Sequence, residues 1–484
     1  MGIEIDKTAF SADDFALFSD RLHSQLLLLK DNLLAADFGK SSPSIGAEVE
    51  LYIVDNNGLP SLKNEALLSM ANDGCLTHEL NKYNLEYNLP PCKIDQQPFS
   101  TIETRINNTL STLNDYAKQL HCRIVPIGIL PTLTENDLGF HCLTPGKRYR
   151  AFVDYFTQKR GDDFLINING KQSLKYHLSD ITLEGANTSL QIHYQVSPEK
   201  FVDTYNTVQL VTPLVLAVAA NSPTLFGHPL WDETRIPLFK HSIDTRHIDR
   251  YQWNEPSRVN FGHGWLRKSA YELFSEAVQL YPPILPICTE QINDSKLLPE
   301  LCLHLGTVWL WNRPVYDGND RGHLRIEMRA LPSGPTSIDM SANAAFFIGL
   351  AEGYRHLIED FIAAIPFQTA EYNFYRGAQY SFDAELIWPK LGGGYHKQAI
   401  THILEESLSV AKSGLLSIGI QEQEANYYLS VIEERIYQRK NAANWQTTTL
   451  EKINQTTNQR ESLHKMLELF IRNSQQNIPV SQWP

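Results

Sequence analysis

The stretch IGAEVELYI, residues 45–53, contains the pattern on which the predicted fold depends. Five apolar residues alternate in it with glycine, two glutamates and a tyrosine. Successive side chains of a β-strand point to opposite faces, so Glu48 and Glu50 share one face while the apolar residues line a core. The pattern therefore predicts a strand with one buried face and one face that carries carboxylates.

Three further stretches alternate in the same way. Their polar positions are Asn84, Glu86 and Asn88 in the second strand, Ser189, Gln191, His193 and Gln195 in the third, and Arg325, Glu327 and Arg329 in the fourth. A single strand of this kind is commonly just the solvent-facing side of a sheet. Four strands with the same ligand types and no lysine on the polar face favour an active site.

Pairing in one antiparallel sheet would place four carboxylates and one imidazole on its concave face. Like charges a few Å apart repel strongly, so such a group requires bound cations. Oxygen ligands with one imidazole favour Mg²⁺ or Mn²⁺ over Zn²⁺. The predicted metal ligands are Glu48, Glu50, Glu86, His193 and Glu327.

Arg325 and Arg329 flank Glu327 on the predicted polar face, where guanidinium groups could bind phosphate oxygens. Metal ions with arginines are typical of phosphoryl transfer. The sequence has no GxxxxGK[ST] loop and no GxGxxG after a strand, which excludes a P-loop. The glycine run 392–394 is predicted to form a turn or a flexible flap.

Composition narrows the class of protein. The 484 residues are 42% hydrophobic and carry 42 basic against 55 acidic side chains, a net charge of −13. These values exclude disordered, collagen-like and coiled-coil proteins, and they leave no broad basic face for nucleic acid. Six well-separated cysteines predict free thiols. Neither a signal peptide nor a membrane-spanning run is visible, so we expect a cytoplasmic protein.

The organisation predicted along the chain is one large α+β domain without a long linker. It divides into an N-terminal helical segment (1–44), a catalytic domain (45–400) and a C-terminal helical extension (401–484). Helical periodicity predicts helices over residues 12–36, 101–121, 198–220, 340–364, 397–413, 421–438 and 449–473.

The order of these motifs resembles glutamate–cysteine ligase family 2, within the glutamine synthetase-like superfamily of carboxylate–amine ligases. The stretches that carry the resemblance are Gly46-Ala47-Glu48-Val49-Glu50, Asn84-Leu85-Glu86-Tyr87-Asn88, Gln191-Ile192-His193, Ala220-Asn221-Ser222-Pro223, Trp311-Asn312-Arg313-Pro314 and His323-Leu324-Arg325-Ile326-Glu327. The match runs from about residue 45 to about residue 350. Plant-type members show Q-x-N where this chain has Gln191-x-His193, so their substrate pocket does not carry over.

The resemblance implies a curved, mainly antiparallel sheet with helices on its outer side. It implies that ATP converts the carboxylate of glutamate to an acyl phosphate and that an amine, with cysteine as the default, displaces phosphate. The product would be a γ-glutamyl amide, as in glutathione biosynthesis. One cation would lie with Glu48, His193 and Glu327, and a second with Glu50 and Glu86. Glu79 is either a further ligand or a surface charge.

The resemblance also assigns roles to other side chains. Arg329, Glu327 and Arg325 would be catalytic, with Arg329 stabilising the transferring phosphoryl group. Nucleotide binding would involve Arg313, Arg325, Arg329 and Gln191, and amino-acid binding would involve Arg235, Arg246 and Asn88. Three other functions stay open: a phosphotransferase of the same fold, a metal-dependent hydrolase, and a binding protein that has lost catalysis. A ligase with another amine acceptor also stays open.

Overall fold

The computed structural model describes residues 5, 7–246, 256–289, 294–390, 392–455 and 457–484. Its strands are β1 (Ser44–Asp55), β2 (Leu76–His78), β3 (Asn84–Lys93), β4 (Cys122–Val125), β5 (Phe164–Asn169), β6 (Ser173–Leu178), β7 (Ser189–Val196), β8 (Thr224–Leu225), β9 (His228–Pro229), β10 (Val259–Asn260), β11 (Trp309–Leu310), β12 (Asn312–Asp317), β13 (His323–Pro332), β14 (Glu385–Pro389) and β15 (Tyr395–Ala399).

The main sheet contains all four strands predicted from alternation. Its order is β12-β13-β7-β1-β3-β2, all neighbours are antiparallel, and β4 pairs with the second half of β1. The sheet curls into a half-barrel. The predicted fold class, one α+β domain built on a curved antiparallel sheet, is confirmed.

The helices are α1 (Ala12–Leu34), α2 (Asn64–Ala71), α3 (Pro98–Gln119), α4 (Lys147–Arg160), α5 (Pro198–Ala219), α6 (Arg235–Ser242), α7 (Tyr271–Leu280), α8 (Pro299–Leu305), α9 (Ser337–Tyr354), α10 (Ile358–Ala364), α11 (Phe367–Tyr380), α12 (Ile400–Ser417), α13 (Glu422–Gln438), α14 (Ala442–Asn454) and α15 (Gln459–Ser474). Ser11 caps α1 through a capping box with Asp14.

Three helix predictions need correction. Residues 340–364 are not one helix, because α9 ends at Tyr354 and the 3-10 turn Arg355–Leu357 separates it from α10. The region 449–473 is not one helix, because α14 ends at Asn454 and Asn458 caps the start of α15. The helix predicted from 397 begins at Ile400, because residues 397–399 pair with β14 in a hairpin. The glycines 392–394 all have positive φ and lie in the connection between these two strands, where the sequence predicted a turn.

The apolar face of the sheet packs on buried helices. α5 and α9 are almost entirely buried beneath it, and their side chains join those of β1, β7 and β13 in one hydrophobic cluster. α9 and α12 cross closely: a Cβ on Gly414 would lie 2.0 Å from the carbonyl oxygen of Gly349. Only glycine permits that approach. This packing leaves the opposite face of the sheet for polar groups.

No helix in the described residues is long and apolar enough to cross a membrane. The segment boundaries predicted at residues 44/45 and 400/401 stay a prediction.

Candidate functional site

The polar face of the sheet is organised by cross-strand register. Glu50 lies opposite Glu86, Glu48 opposite both Gln191 and Asn88, and Glu327 opposite His193. Directly paired residues have Cβ atoms about 4.5–5.5 Å apart, so side chains far apart in sequence become neighbours. The structure thus brings all five predicted metal ligands onto one face.

Glu48, His193 and Glu327 form a first group, called the histidine cluster here. One ligand atom from each lies within 4.8 Å of the others. His193 Nε2 is 3.1 Å from Glu48 Oε1 and 3.9 Å from Glu327 Oε1, yet it is buried without a hydrogen-bond partner in the described residues. Burial alone would raise the pKa of Glu48, but His193 lowers it below its usual value. An orphaned imidazole nitrogen between two ionised carboxylates fits a divalent cation.

The other nitrogen of His193 is occupied. Arg325 Nε donates to His193 Nδ1 at 3.2 Å, so in the neutral ring the proton resides on Nε2. Coordination through Nε2 requires that proton to move to Nδ1 and Arg325 to turn away from the ring. Binding a cation would therefore also release the Arg325 guanidinium.

Two further arginines hold Glu327. Arg313 binds it in bidentate fashion, with Nε 2.5 Å from Oε2 and Nη2 3.0 Å from Oε1. Arg329 Nη1 donates to Glu327 Oε1 at 2.8 Å. Burial opposes ionisation, but Arg313 and Arg329 keep the pKa of Glu327 well below its usual range. Glu327 is thus an anion even though its side chain is 2% exposed.

Glu50, Glu79 and Glu86 form the second group, called the carboxylate cluster here. Their oxygens also lie within 4.8 Å of one another. Burial, and then the charges of Glu48 and Glu50, raise the pKa of Glu86 to about 7. Burial and the neighbouring carboxylates raise the pKa of Glu79 well above its usual value. Three crowded carboxylates fit a second cation, and the structure places Glu79 beside the other two.

Gln191 and Asn88 support these carboxylates. Gln191 Nε2 donates to Glu50 Oε1 at 2.9 Å and its Oε1 accepts from Arg329. Asn88 Nδ2 donates to Glu86 Oε1 at 2.7 Å. Both amides were predicted to contact nucleotide or substrate, and here they orient carboxylates of the polar face.

Arg235 and Arg246, predicted at the amino-acid site, are both engaged with nearby carboxylates. Arg235 is 2% exposed and donates to Glu233 and to the carbonyl of Ala330. Arg246 pairs with Asp244 at 2.8 Å. Neither reaches the described wall of the cavity next to the carboxylate cluster. Each arginine follows a carboxylate by only two residues, and that local pairing is not visible in a motif comparison.

A cavity of about 560 Å³ adjoins the carboxylate cluster, within the size range of small-molecule sites. Arg313 and Arg329 reach it from the sheet, and Glu184 reaches it from the loop before β7. Its other walls include residues that sequence analysis missed: Arg148, Tyr149, Phe152 and Phe156 of α4, together with Ile181, Ile243 and Trp309. The spacing of 148, 152 and 156 at four residues was the available signal, since it predicts one helical face.

Burial, and then the charge of Glu50, raise the pKa of Glu184 to about 8. The polar face therefore contains a histidine cluster, a carboxylate cluster and the arginines beside them, next to a cavity large enough for organic substrates.

Residues 44–468 match the family described as glutamate-cysteine ligase family 2. The chain belongs to this family. Membership confirms the resemblance found in the sequence and indicates a carboxylate–amine ligase. No curated protein sequence matches the chain.

One solved structure shares the fold. Glutamate–cysteine ligase from Francisella tularensis in complex with AMP is 10% identical, with a TM-score of 0.50 over 91% of this chain and 90% of that one. A bifunctional glutathione synthetase from Pasteurella multocida is 13% identical, with a TM-score of 0.49 over 93% of this chain and 55% of that one. At such identities the first likeness shows the shared fold alone.

Proposed function

We propose that this family member is an ATP-dependent ligase that activates the carboxylate of glutamate and joins it to an amine. Cysteine, the acceptor in the family's name, is the first amine to test. The observation that carries the proposal is the pair of three-residue clusters side by side on one sheet face, with Arg313 and Arg329 beside them. Family membership supports the same reaction class.

The donor sets of both clusters fit hard divalent cations. Glu48, His193 and Glu327 would hold one Mg²⁺ or Mn²⁺, and Glu50, Glu79 and Glu86 would hold the other. Bound cations would neutralise the carboxylates and the polyphosphate of ATP. Nε2 of His193 is buried between the carboxylates of Glu48 and Glu327 and makes no well-aligned hydrogen bond to any described residue, which supports this assignment because protein side chains rarely leave such an atom unsatisfied.

The arginines would act on the transferring phosphoryl group. Arg329 sits between Glu327 and Gln191 near both clusters, where its planar fork can bind two phosphate oxygens. Arg313 reaches the cavity while it holds Glu327. Arg325 becomes available to phosphate once it leaves His193. These positions favour charge stabilisation of the transition state, which is the main requirement of phosphoryl transfer.

The chemistry then balances in two steps. A carboxylate oxygen of glutamate attacks the γ-phosphorus of ATP, the bond to the bridging oxygen breaks, and ADP leaves. The lone pair of the neutral amine attacks the acyl carbon, a C–N bond forms, and the C–O bond to phosphate breaks. The amine proton leaves to solvent or phosphate, and the products are a γ-glutamyl amide, ADP and phosphate. With cysteine as acceptor, we propose a cytoplasmic role in glutathione biosynthesis.

The test is ADP release by the purified protein with Mg-ATP and glutamate, with and without cysteine and a panel of other amines. The proposal requires release that depends on glutamate and rises with an amine, together with stoichiometric γ-glutamyl amide. Phosphate transfer to glutamate or another acceptor without amide formation would instead identify a phosphotransferase. Hydrolysis of substrates without any nucleotide would identify a metal-dependent hydrolase.

A further inference from the structure

The polar face differs in charge between its two ends. Toward the β12–β13 hairpin lie Arg325 and His323, with Arg325 Nη1 3.2 Å from His323 Nε2. Toward β2 and β3 lie the carboxylate cluster and Glu184, beside the cavity, whose described lining has five glutamates against three arginines and is therefore acidic on balance. A polyphosphate favours the cationic end, whereas an ammonium group favours the acidic end. The cavity at the acidic end is therefore suited to the amine.

One wall of that cavity is aromatic. The ring centroids of Phe152 and Phe156 are 6.4 Å apart, and Trp309 lies 6.2 Å from the first and 6.0 Å from the second. Ile181 and Ile243 extend the same apolar wall. Rings at these separations pack on one another and offer a continuous apolar surface to a ligand. The side chain of cysteine is too small to cover it.

Glu184 supplies the complementary carboxyl group. It lines the same cavity. Its charged neighbours are Glu50 and, with opposite sign, Arg329. An ammonium group bound beside this carboxyl group would favour its ionised form, and an apolar body on the same ligand would suit the neighbouring wall.

We propose that this cavity is the acceptor subsite and that it selects amines bearing a bulky apolar or aromatic group, with Glu184 binding the ammonium. The inference rests on the proposed ligase function and names its acceptor class. Adenine fits the wall less well, because a nucleotide there would bring its phosphates past Glu184 and the carboxylate cluster. The aromatic rings of Phe152, Phe156 and Trp309 would contact the acceptor side chain.

A series of matched amines tests the proposed class of acceptor. Initial rates of ADP release with Mg-ATP and glutamate are compared for ethylamine against phenethylamine, and for alanine and cysteine against phenylalanine. One methylene in an apolar pocket is worth about 10- to 200-fold in specificity. We expect the aromatic member of each pair to have a KM at least about tenfold lower. Equal KM values within each pair, or a preference for cysteine, would overturn the proposal and leave the ligase function standing.

Single variants test whether the amine preference arises from the residues of this cavity. Trp309→Leu keeps an apolar side chain and should abolish the preference for phenethylamine without changing the KM for ATP. Glu184→Gln is nearly isosteric and should raise the KM of every amine. Tyr437→Leu, at an 83% exposed tyrosine on α13, is the control for loss of an aromatic ring. If Trp309→Leu instead raises the KM for ATP, the pocket holds adenine and the inference is wrong.

Amine binding can be measured without turnover, so it tests the cavity even if the ligase reaction is absent. If no amine supports ADP release, the ligase function fails, and thermal shifts with phenethylamine and ethylamine still report on the pocket. A shift given by phenethylamine alone, absent in Trp309→Leu, supports the subsite. No shift in the wild-type protein contradicts it.

Discussion

Replacing Glu327 with glutamine removes the central charge of the polar face while almost keeping its shape. The side chain is 2% exposed and receives Arg313 at 2.5 and 3.0 Å and Arg329 at 2.8 Å. Removing one partner of a buried ion pair lowers the free energy of unfolding by about 3–5 kcal/mol. Because Arg313 is 16% exposed and glutamine retains one acceptor oxygen, we expect a loss near the lower limit, about 3 kcal/mol in the free energy of unfolding.

The same change should affect function beyond stability. The histidine cluster loses one of its two carboxylates, so we expect Mn²⁺ titration followed by electron paramagnetic resonance to show one site fewer. A bound metal contributes several kcal/mol to transition-state stabilisation, which corresponds to at least about a hundredfold loss of kcat for ADP release. Denaturant unfolding measures the stability term separately.

Glu352→Gln is the matched control. Glu352 is a buried carboxylate on α9 that accepts from Tyr194 and Arg355, each at 3.0 Å, away from the polar face. Its replacement should cost stability but leave Mn²⁺ stoichiometry and ADP release near wild type. If Glu327→Gln behaves like this control in both functional assays, Glu327 is not a metal ligand and the proposed site is wrong.

Four other predictions can be checked directly. Arg329→Lys should lower kcat at least about a hundredfold, because a point charge cannot replace the planar fork; wild-type turnover would remove Arg329 from the mechanism. Mg²⁺ at a hundred times its Kd should raise the free energy of unfolding by about 2.7 kcal/mol, and an unchanged melting temperature would argue against both clusters. His304 is 1% exposed, and burial lowers its pKa from 6.5 to about 4. Between pH 6.5 and pH 4 the unfolded chain therefore binds more protons than the folded one. The free energy of unfolding should decrease as the pH is lowered through this window, by at most about 3 kcal/mol. His304→Gln should flatten that pH dependence, and an unaltered slope would contradict the reasoning. Arg435→Met should lower the free energy of unfolding by about 3–5 kcal/mol, because it leaves the charge of Asp339 unpaired. The double variant with Asp339→Asn should lose less free energy than the sum of the two single variants. Strict additivity would show that the pair does not interact.

The sequence by itself determined the strands of the site and which of their polar side chains share a face. Alternation with period two is a local property, so residues 45–53 already place Glu48 and Glu50 on one face. The pattern around Glu327 likewise indicated flanking arginines, and the resemblance to the ligase family, now confirmed, followed from the order of these strands.

Only the tertiary structure decided how these strands meet and what covers them. Cross-strand register brought Glu327 opposite Arg313 and His193, and the path of the chain before β3 brought Glu79 to Glu86. The cavity wall combines α4 with residues near 181–184 and 306–309, segments that no local pattern connects. Such contacts depend on which apolar surfaces bury one another across long sequence separations, and for that physical reason the polar residues that share a sheet face were predictable and the cavity beside them was not.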